Sequence, residues 1–354
     1  MTTLWFIIVV VFWTGFVVLE GFDFGVGVLH GVVGRTDAER SLAVRSIGPF
    51  WDGNEVWLVV GGAAIFAAFP QWYATMFSSL YLALVLTLLA LMVRGVSFEY
   101  RSKVDSARWR GSWRWGLTVS SAVVPLIIGI ALGDLVHGLP INQAHVYTGS
   151  FWTLLQPYGV FAGVTLLALS VLSGATFLTI RTDGPVAARA ATIAPRAGWA
   201  ATALVLGLVI WTHALVGRTH VPTLVDAAIV LAALGAGWAA SQRAAGWAFA
   251  AACAASGLTV VLLFVNLYPH VMVSTTSPAY SLTAAGTASP PYTLKVMTVV
   301  AVVIFPVVVI YQAWTYHIFK RRLSVPTVGG EDVTAPDSAP PSPAPAPAPA
   351  PAES

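Results

Sequence analysis

The sequence predicts an all-α integral membrane protein of about nine spans, and three observations predict it. The chain of 354 residues is 57% hydrophobic and only 9% charged, where soluble domains carry about 25% charged residues. Its apolar residues fall into runs long enough to cross about 30 Å of hydrocarbon, a distance that takes about 20 helical residues. Its basic residues alternate in step with those runs, clustering in every second connection.

The runs lie near 4–29, 52–72, 76–97, 115–136, 157–180, 196–217, 222–241, 245–269 and 294–318. Backbone polar groups in lipid must be satisfied within the segment, so each run is read as a helix. Nine helices can divide into two four-helix bundles plus one peripheral helix, making residues 1–320 one transmembrane domain. The first run is read as retained, because MTTLW before it holds no Lys or Arg and Glu20 and Asp23 stand where a small-residue cleavage site would be. Trp51, Trp57, Trp72, Trp113 and Trp115 fall at run ends, the level of lipid headgroups.

Of the 18 Lys and Arg, Arg94 lies within a run and only Arg218 and Lys295 fall in the connections after spans two, four, six and eight. The rest follow the odd-numbered spans, which places the N-terminus outside and the C-terminus in the cytoplasm of a multi-pass cell-membrane protein. The stretch from Ser274 to Pro291 is an external loop with room for a re-entrant segment. From 324 to 354 the chain turns polar and then alternates Ala with Pro, a composition expected to give a disordered or PPII-like cytoplasmic tail.

Several function classes have no seat here. Cys253 stands alone, so neither a disulfide framework nor a thiolate metal site forms within the chain. No two histidines have metal-site spacing on one helix, so no metal ligands are assigned. No phosphate-binding glycine loop or nucleophile triad is present. The formal charge of +3 reports loop topology and carries no nucleic-acid inference.

The chemistry is expected where charge is costly. An ionised carboxylate at mid-bilayer costs about 2.5 to 3.5 kcal/mol on insertion scales. Glu20 and Asp23 are three residues apart on one helical face, with Gly21, Gly25 and Gly27 allowing a close helix approach there. Asp52 and Glu55 repeat the spacing at the start of the second span, beside Asn54, and Arg94, Glu99 and Arg101 end the third. Packed together, the five acids would make a hydrated path able to relay protons from the cytoplasm. The structural reading of the same residues is Asp52 as an N-cap and the rest as an ion-pair cluster with Arg94 and Arg101. Asp134 and Asp226 are read as ordinary boundary residues.

At these residues the sequence resembles a known family, the second subunit of cytochrome bd-type quinol oxidases. The resemblance rests on GFDFGVGVL (Gly21 to Leu29), IGPFWDGNEVWL (Ile47 to Leu58), FAAFP (Phe66 to Pro70), FEYRSK (Phe98 to Lys103), the Trp-rich segment from Arg108 to Gly116, and KVMTVVAVV (Lys295 to Val303). It implies nine spans in two four-helix bundles plus a peripheral helix, paired as a heterodimer with a subunit I that carries two haems b, haem d and the quinol site. The complex would oxidise quinol and reduce O2 to water, drawing protons from the cytoplasm. By the same resemblance Asp52 and Glu99 belong to the proton path and Trp57 to the oxygen route or to packing. It leaves room for a structural quinone, which no residue here locates, for a small single-span accessory subunit and for bound lipid. The rival classes are a proton- or ion-coupled secondary transporter and a scaffold subunit without transport. The transporter would need helices broken at mid-span, whereas Gly and Pro are read here as clustering at span ends.

Overall fold

A computed structural model describes residues 1–216 and 223–325, almost all of them helical. The helices are α1 (Thr2–Val33), α2 (Asp37–Arg45), α3 (Trp51–Ala68), α4 (Pro70–Ser79), α5 (Tyr81–Tyr100), α6 (Ala107–His137), α7 (Pro157–Arg181), α8 (Gly184–Val216), α9 (Thr223–Ser241), α10 (Ala245–Leu267), the short α11 (Ala284–Thr287) and α12 (Pro291–Ile318). Among the described residues, eight of these are long and apolar enough to cross a membrane: α1, α5, α6, α7, α8, α9, α10 and α12. The tail expected over 324–354 lies, beyond its first two residues, outside the described residues.

The second run of the sequence is where the helices depart from the reading. It is divided into α3 and α4 at Phe69, whose φ of −139° and ψ of 66° leave the helical region. The cause is Pro70, which lacks a donor N–H and excludes the α conformation from the residue before it, while fitting the first turn of α4. The 18 residues of α3 rise about 27 Å, and its polar opening, WDGNE, dilutes its apolar character. Three other helices begin earlier than their runs: α6 takes in the basic RWRGSWRW segment, α8 continues N-terminally through Pro195, and α12 begins at Pro291. Pro125 and Pro306 also lie inside helices α6 and α12, so proline is not confined to span ends.

Two helix groups share α1 as their centre. In the first, α1 packs on α3 and α6, and α6 packs on α5; in the second, α7 packs on α8 and α10, and α9 packs on α8 and α10. The groups meet where α1 and α6 contact α7 and where α1 contacts α10. Small residues set the closest approach. A Cβ on Gly25 of α1 would run into the Ser170 carbonyl and the Gly174 backbone of α7, and one on Gly27 would strike Ser121 of α6. Gly21 has open space by comparison, so the close approach belongs to Gly25 and Gly27. Helix α12 stands apart: only 6% of its most apolar stretch is buried, and it rests mainly on α3.

The connections at the two ends differ in chemistry. At one, residues 268–290 form a small antiparallel hairpin (β1, His270–Met272; β2, Leu282–Thr283) and α11, with no re-entrant helix. At the other, α2 is clamped to α8. Arg189 donates to Glu39 Oε1 at 2.8 Å, to Glu39 Oε2 at 3.0 Å and to the Val33 carbonyl. Glu39 also closes the capping box with Thr36 and accepts from the Arg35 N–H at 2.7 Å. The Arg189 guanidinium, with these backbone donors, holds the Glu39 carboxyl down to about 2.

A buried acid and arginine cluster

Glu20 and Asp23, both fully buried, project from the middle of α1 on one face. The α3 helix brings Asn54 and Glu55 to that face, and α5 brings Arg94, also fully buried. The Arg94 Nη1 donates to Glu20 Oε1 in a short contact and to Glu55 Oε1 at 2.7 Å. The guanidinium lies 4.7 Å from the Phe24 ring centroid and 5.3 Å from that of Phe98, while its Nε and Nη2 are buried without a hydrogen-bond partner among the described residues. Trp51 packs on Phe98, their centroids 4.9 Å apart, where α3 and α5 come together.

Asn54 links this ion pair to a second set of groups. Its Nδ2 donates to Asp23 Oδ2 at 2.7 Å and to the Leu19 carbonyl at 3.0 Å. Its Oδ1 accepts from Gln312 Nε2 at 2.7 Å and from the Tyr316 hydroxyl at 3.1 Å, both on α12. Four helices therefore meet in one polar network inside an otherwise apolar bundle. Three carboxyl groups face one guanidinium, so charge balance at low dielectric calls for protons held among the carboxyls or for water.

Not every acid singled out from the sequence joins the network. Asp52 is exposed in the first turn of α3 and does not cap it, since Phe50 holds the N-cap position and no side chain makes the capping bond. Glu99 is exposed near the end of α5. Neither enters the cluster's hydrogen bonds or ion pairs. Glu55, half-buried and one turn along from Asp52, is the member that connects the exposed helix end to the buried acids. Arg101 donates to Ser41 Oγ at 2.5 Å instead of pairing with the acids.

Other positions also read differently in three dimensions. Asp134 is fully buried and accepts from Gln156 Nε2 at 2.8 Å, so it is not a boundary residue. Asp226 pairs with His213 Nε2 at 3.0 Å. Gln312 and Tyr316 were not singled out from the sequence, although an amide inside VVVIYQAW is costly enough to have marked the place. Trp57 fills the space beside Gly15, its ring centroid 6.1 Å from Phe12 and 6.0 Å from Phe305. It also lines an apolar cavity of about 930 Å3 between α1, α10 and α12 whose lining includes Gln312 and Tyr316.

The fold and this network define a class: a multi-pass helical membrane protein with a buried carboxyl and guanidinium cluster at the junction of its first spans and its last. The comparisons with known proteins give the family. Residues 1–319 match the family "Cytochrome bd terminal oxidase subunit II", and the chain belongs to it. It is 39% identical over 328 residues to the cytochrome bd ubiquinol oxidase subunit 2 of Bacillus subtilis (strain 168), covering 91% of this chain and 96% of that one. It is 36% identical over 358 residues to the cytochrome bd-I ubiquinol oxidase subunit 2 of Escherichia coli (strain K12), covering 91% and 94%. The solved structure of the bd oxidase from Geobacillus thermodenitrificans has the same fold, with a TM-score of 0.69 over 90% of this chain and 96% of that chain at 17% identity. The chain is thus a membrane subunit of a respiratory quinol:O2 oxidoreductase.

Proposed function

We propose that the chain supplies the cytoplasmic proton-uptake path and the helix scaffold for a haem-bearing subunit I, with which it forms a heterodimer. In this reading subunit I oxidises quinol and reduces O2 on two haems b and haem d. No histidine of the present chain is assigned to a haem in this reading: His213 is paired with Asp226 at 3.0 Å, and His30 is buried with Nδ1 bonded to the Gly27 carbonyl at 2.7 Å. No step is therefore routed through haem here, and the chain's contribution is to move protons and hold geometry.

The observation that carries the reading is the junction at Arg94, which ties half-exposed Glu55 to buried Glu20 while Asn54 holds Asp23 beside them. Asp52, exposed one turn before Glu55, would collect protons at the helix end. Glu55 would pass them inward, and Glu20 and Asp23 would hold them where their charge is balanced by Arg94. Glu99 would act as a second surface acid on the α5 side. Arg94 is not a carrier in this scheme: its guanidinium fixes where negative charge can reside. In this reading the basic connections around α2 and between α5 and α6, α7 and α8, and α9 and α10 would face the cytoplasm by the positive-inside rule, with the N-terminus outside and the C-terminus in the cytoplasm.

The test is Asp52→Asn and Glu55→Gln in the assembled oxidase, reading O2 consumption and proton uptake in vesicles. Slowed uptake in both variants with haem content unchanged is the expected result. Normal turnover with normal uptake would leave only the scaffold role.

A further inference from the structure

A second polar cavity, of about 190 Å3, lies away from the acid cluster where α2 meets the end of α5 and the start of α6. Its wall holds four guanidiniums, Arg40, Arg101, Arg110 and Arg114, against the single carboxylate of Asp37. Two of the four are already engaged. Arg40 donates to the Gly34 carbonyl at 3.0 Å, to Asp37 Oδ1 at 2.9 Å and to the Arg35 carbonyl at 3.0 Å. Arg110 holds Asp105 Oδ1 at 2.7 Å, and its Nε lies 3.1 Å from Asp37 Oδ2.

The other two have capacity to spare. Arg101 uses Nη2 on Ser41 Oγ, while its Nη1 is buried with no hydrogen-bond partner. Arg114 lays its stem against Gly31 of α1 and makes no hydrogen bond or ion pair among the described residues. A buried guanidinium N–H without an acceptor is costly, and Asp37 is already shared by Arg40 and Arg110. The wall therefore carries an excess of positive charge, four guanidiniums to one carboxylate.

We propose that this cavity binds a phosphate group, carried either by an anionic phospholipid headgroup or by free phosphate. The planar fork of arginine matches phosphate oxygens in bidentate fashion, and such forks are offered by Arg101 just past the end of α5 and by Arg114 on α6. Trp109, Trp113 and Trp115 flank Arg110 and Arg114 on α6, which sets the cavity at headgroup depth. Burial, and then the crowding of Arg40, Arg110 and Arg114, lower the Arg101 guanidinium from its ordinary value in spite of Asp37, a crowding that a bound anion would relieve. The site does not depend on the proton path, and its test reads binding rather than turnover.

The experiment uses the oxidase assembled with its partner subunit and follows the melting temperature. One arm compares inorganic phosphate with chloride at matched ionic strength in detergent. The other compares phosphatidylcholine nanodiscs with and without phosphatidylglycerol. Phosphate or phosphatidylglycerol should raise the melting temperature of the unaltered oxidase. Arg101→Gln and Arg114→Gln should each weaken the apparent affinity by about tenfold, while Arg108→Gln, an exposed arginine outside the cavity, should not. A shift in the detergent arm assigns free phosphate, and one confined to nanodiscs assigns the lipid. If a Gln variant does not assemble, Arg101→Lys, which keeps the charge and loses the fork, must still lose affinity. Equal melting temperatures with and without both probes, or a shift undiminished in the variants, would overturn the proposal.

Discussion

Arg94 shows at the scale of one residue how an expensive group is retained in a bilayer. Its charge is buried completely, and two carboxylates and two aromatic faces take the place of water. Replacing it with Gln strands Glu20 in the core, a change worth about 3 to 5 kcal/mol for a broken buried pair. The assembled complex carrying Arg94→Gln should melt well below the unaltered one. Arg94→Lys should recover only part of the loss, because a compact ammonium gives up the planar contact of the guanidinium with the Phe24 and Phe98 rings. Gln312→Leu is a milder case, leaving Asn54 Oδ1 with the Tyr316 hydroxyl alone, and should cost about 1 kcal/mol in a thermal melt. The sequence made Glu20, Asp23 and Glu55 legible because their cost in lipid is large and their spacing helical. It did not expose Gln312 or Asp134, since a single amide or a single acid near a span end looks the same whether it faces water or a partner helix.

Elements follow the same logic through proline, glycine and capping. The break between α3 and α4 was present in the sequence as Pro70, yet a hydropathy run reads straight across it, because apolar content does not register a missing N–H. The close packing of α1 on α7 depends on Gly25 and Gly174. Gly25→Leu should prevent the two helices from meeting and sharply reduce recovery of the folded chain, whereas Gly21→Ala, with no atom nearer than 3.8 Å to its added methyl, should be tolerated. The clamp between α2 and α8 carries a pH dependence with a definite sign. Glu39 is ordinarily near 4.5 and is held to about 2 in the fold, so its stabilising contribution is complete above about pH 4.5 and is lost as pH falls toward 2. Melting curves of Glu39→Gln and the unaltered protein should therefore differ at pH 6, draw closer below about pH 4.5 and converge only as the pH approaches 2. A difference that stays constant over that interval would rule out the ion pair as its source.

For the molecule as a whole, nine apolar runs and alternating basic connections led to a helical membrane protein, and the family to which the chain belongs agrees. What the sequence could not specify is which helices share a network. Glu20 and Arg94 are 74 residues apart and Asn54 and Tyr316 are 262 apart, and only packing brings them together. The same packing leaves Asp52 and Glu99 at the surface, so the five acids are arranged as an exposed pair, one half-buried link and a buried pair. The most direct measurement of whether that arrangement holds and moves protons is infrared difference spectroscopy of the assembled oxidase between its reduced and oxidised states. The account predicts a protonated-carboxyl band that changes on reduction and is altered in Glu20→Gln and in Asp23→Asn. A reduction spectrum without carboxyl change, or one identical in both variants, would contradict it.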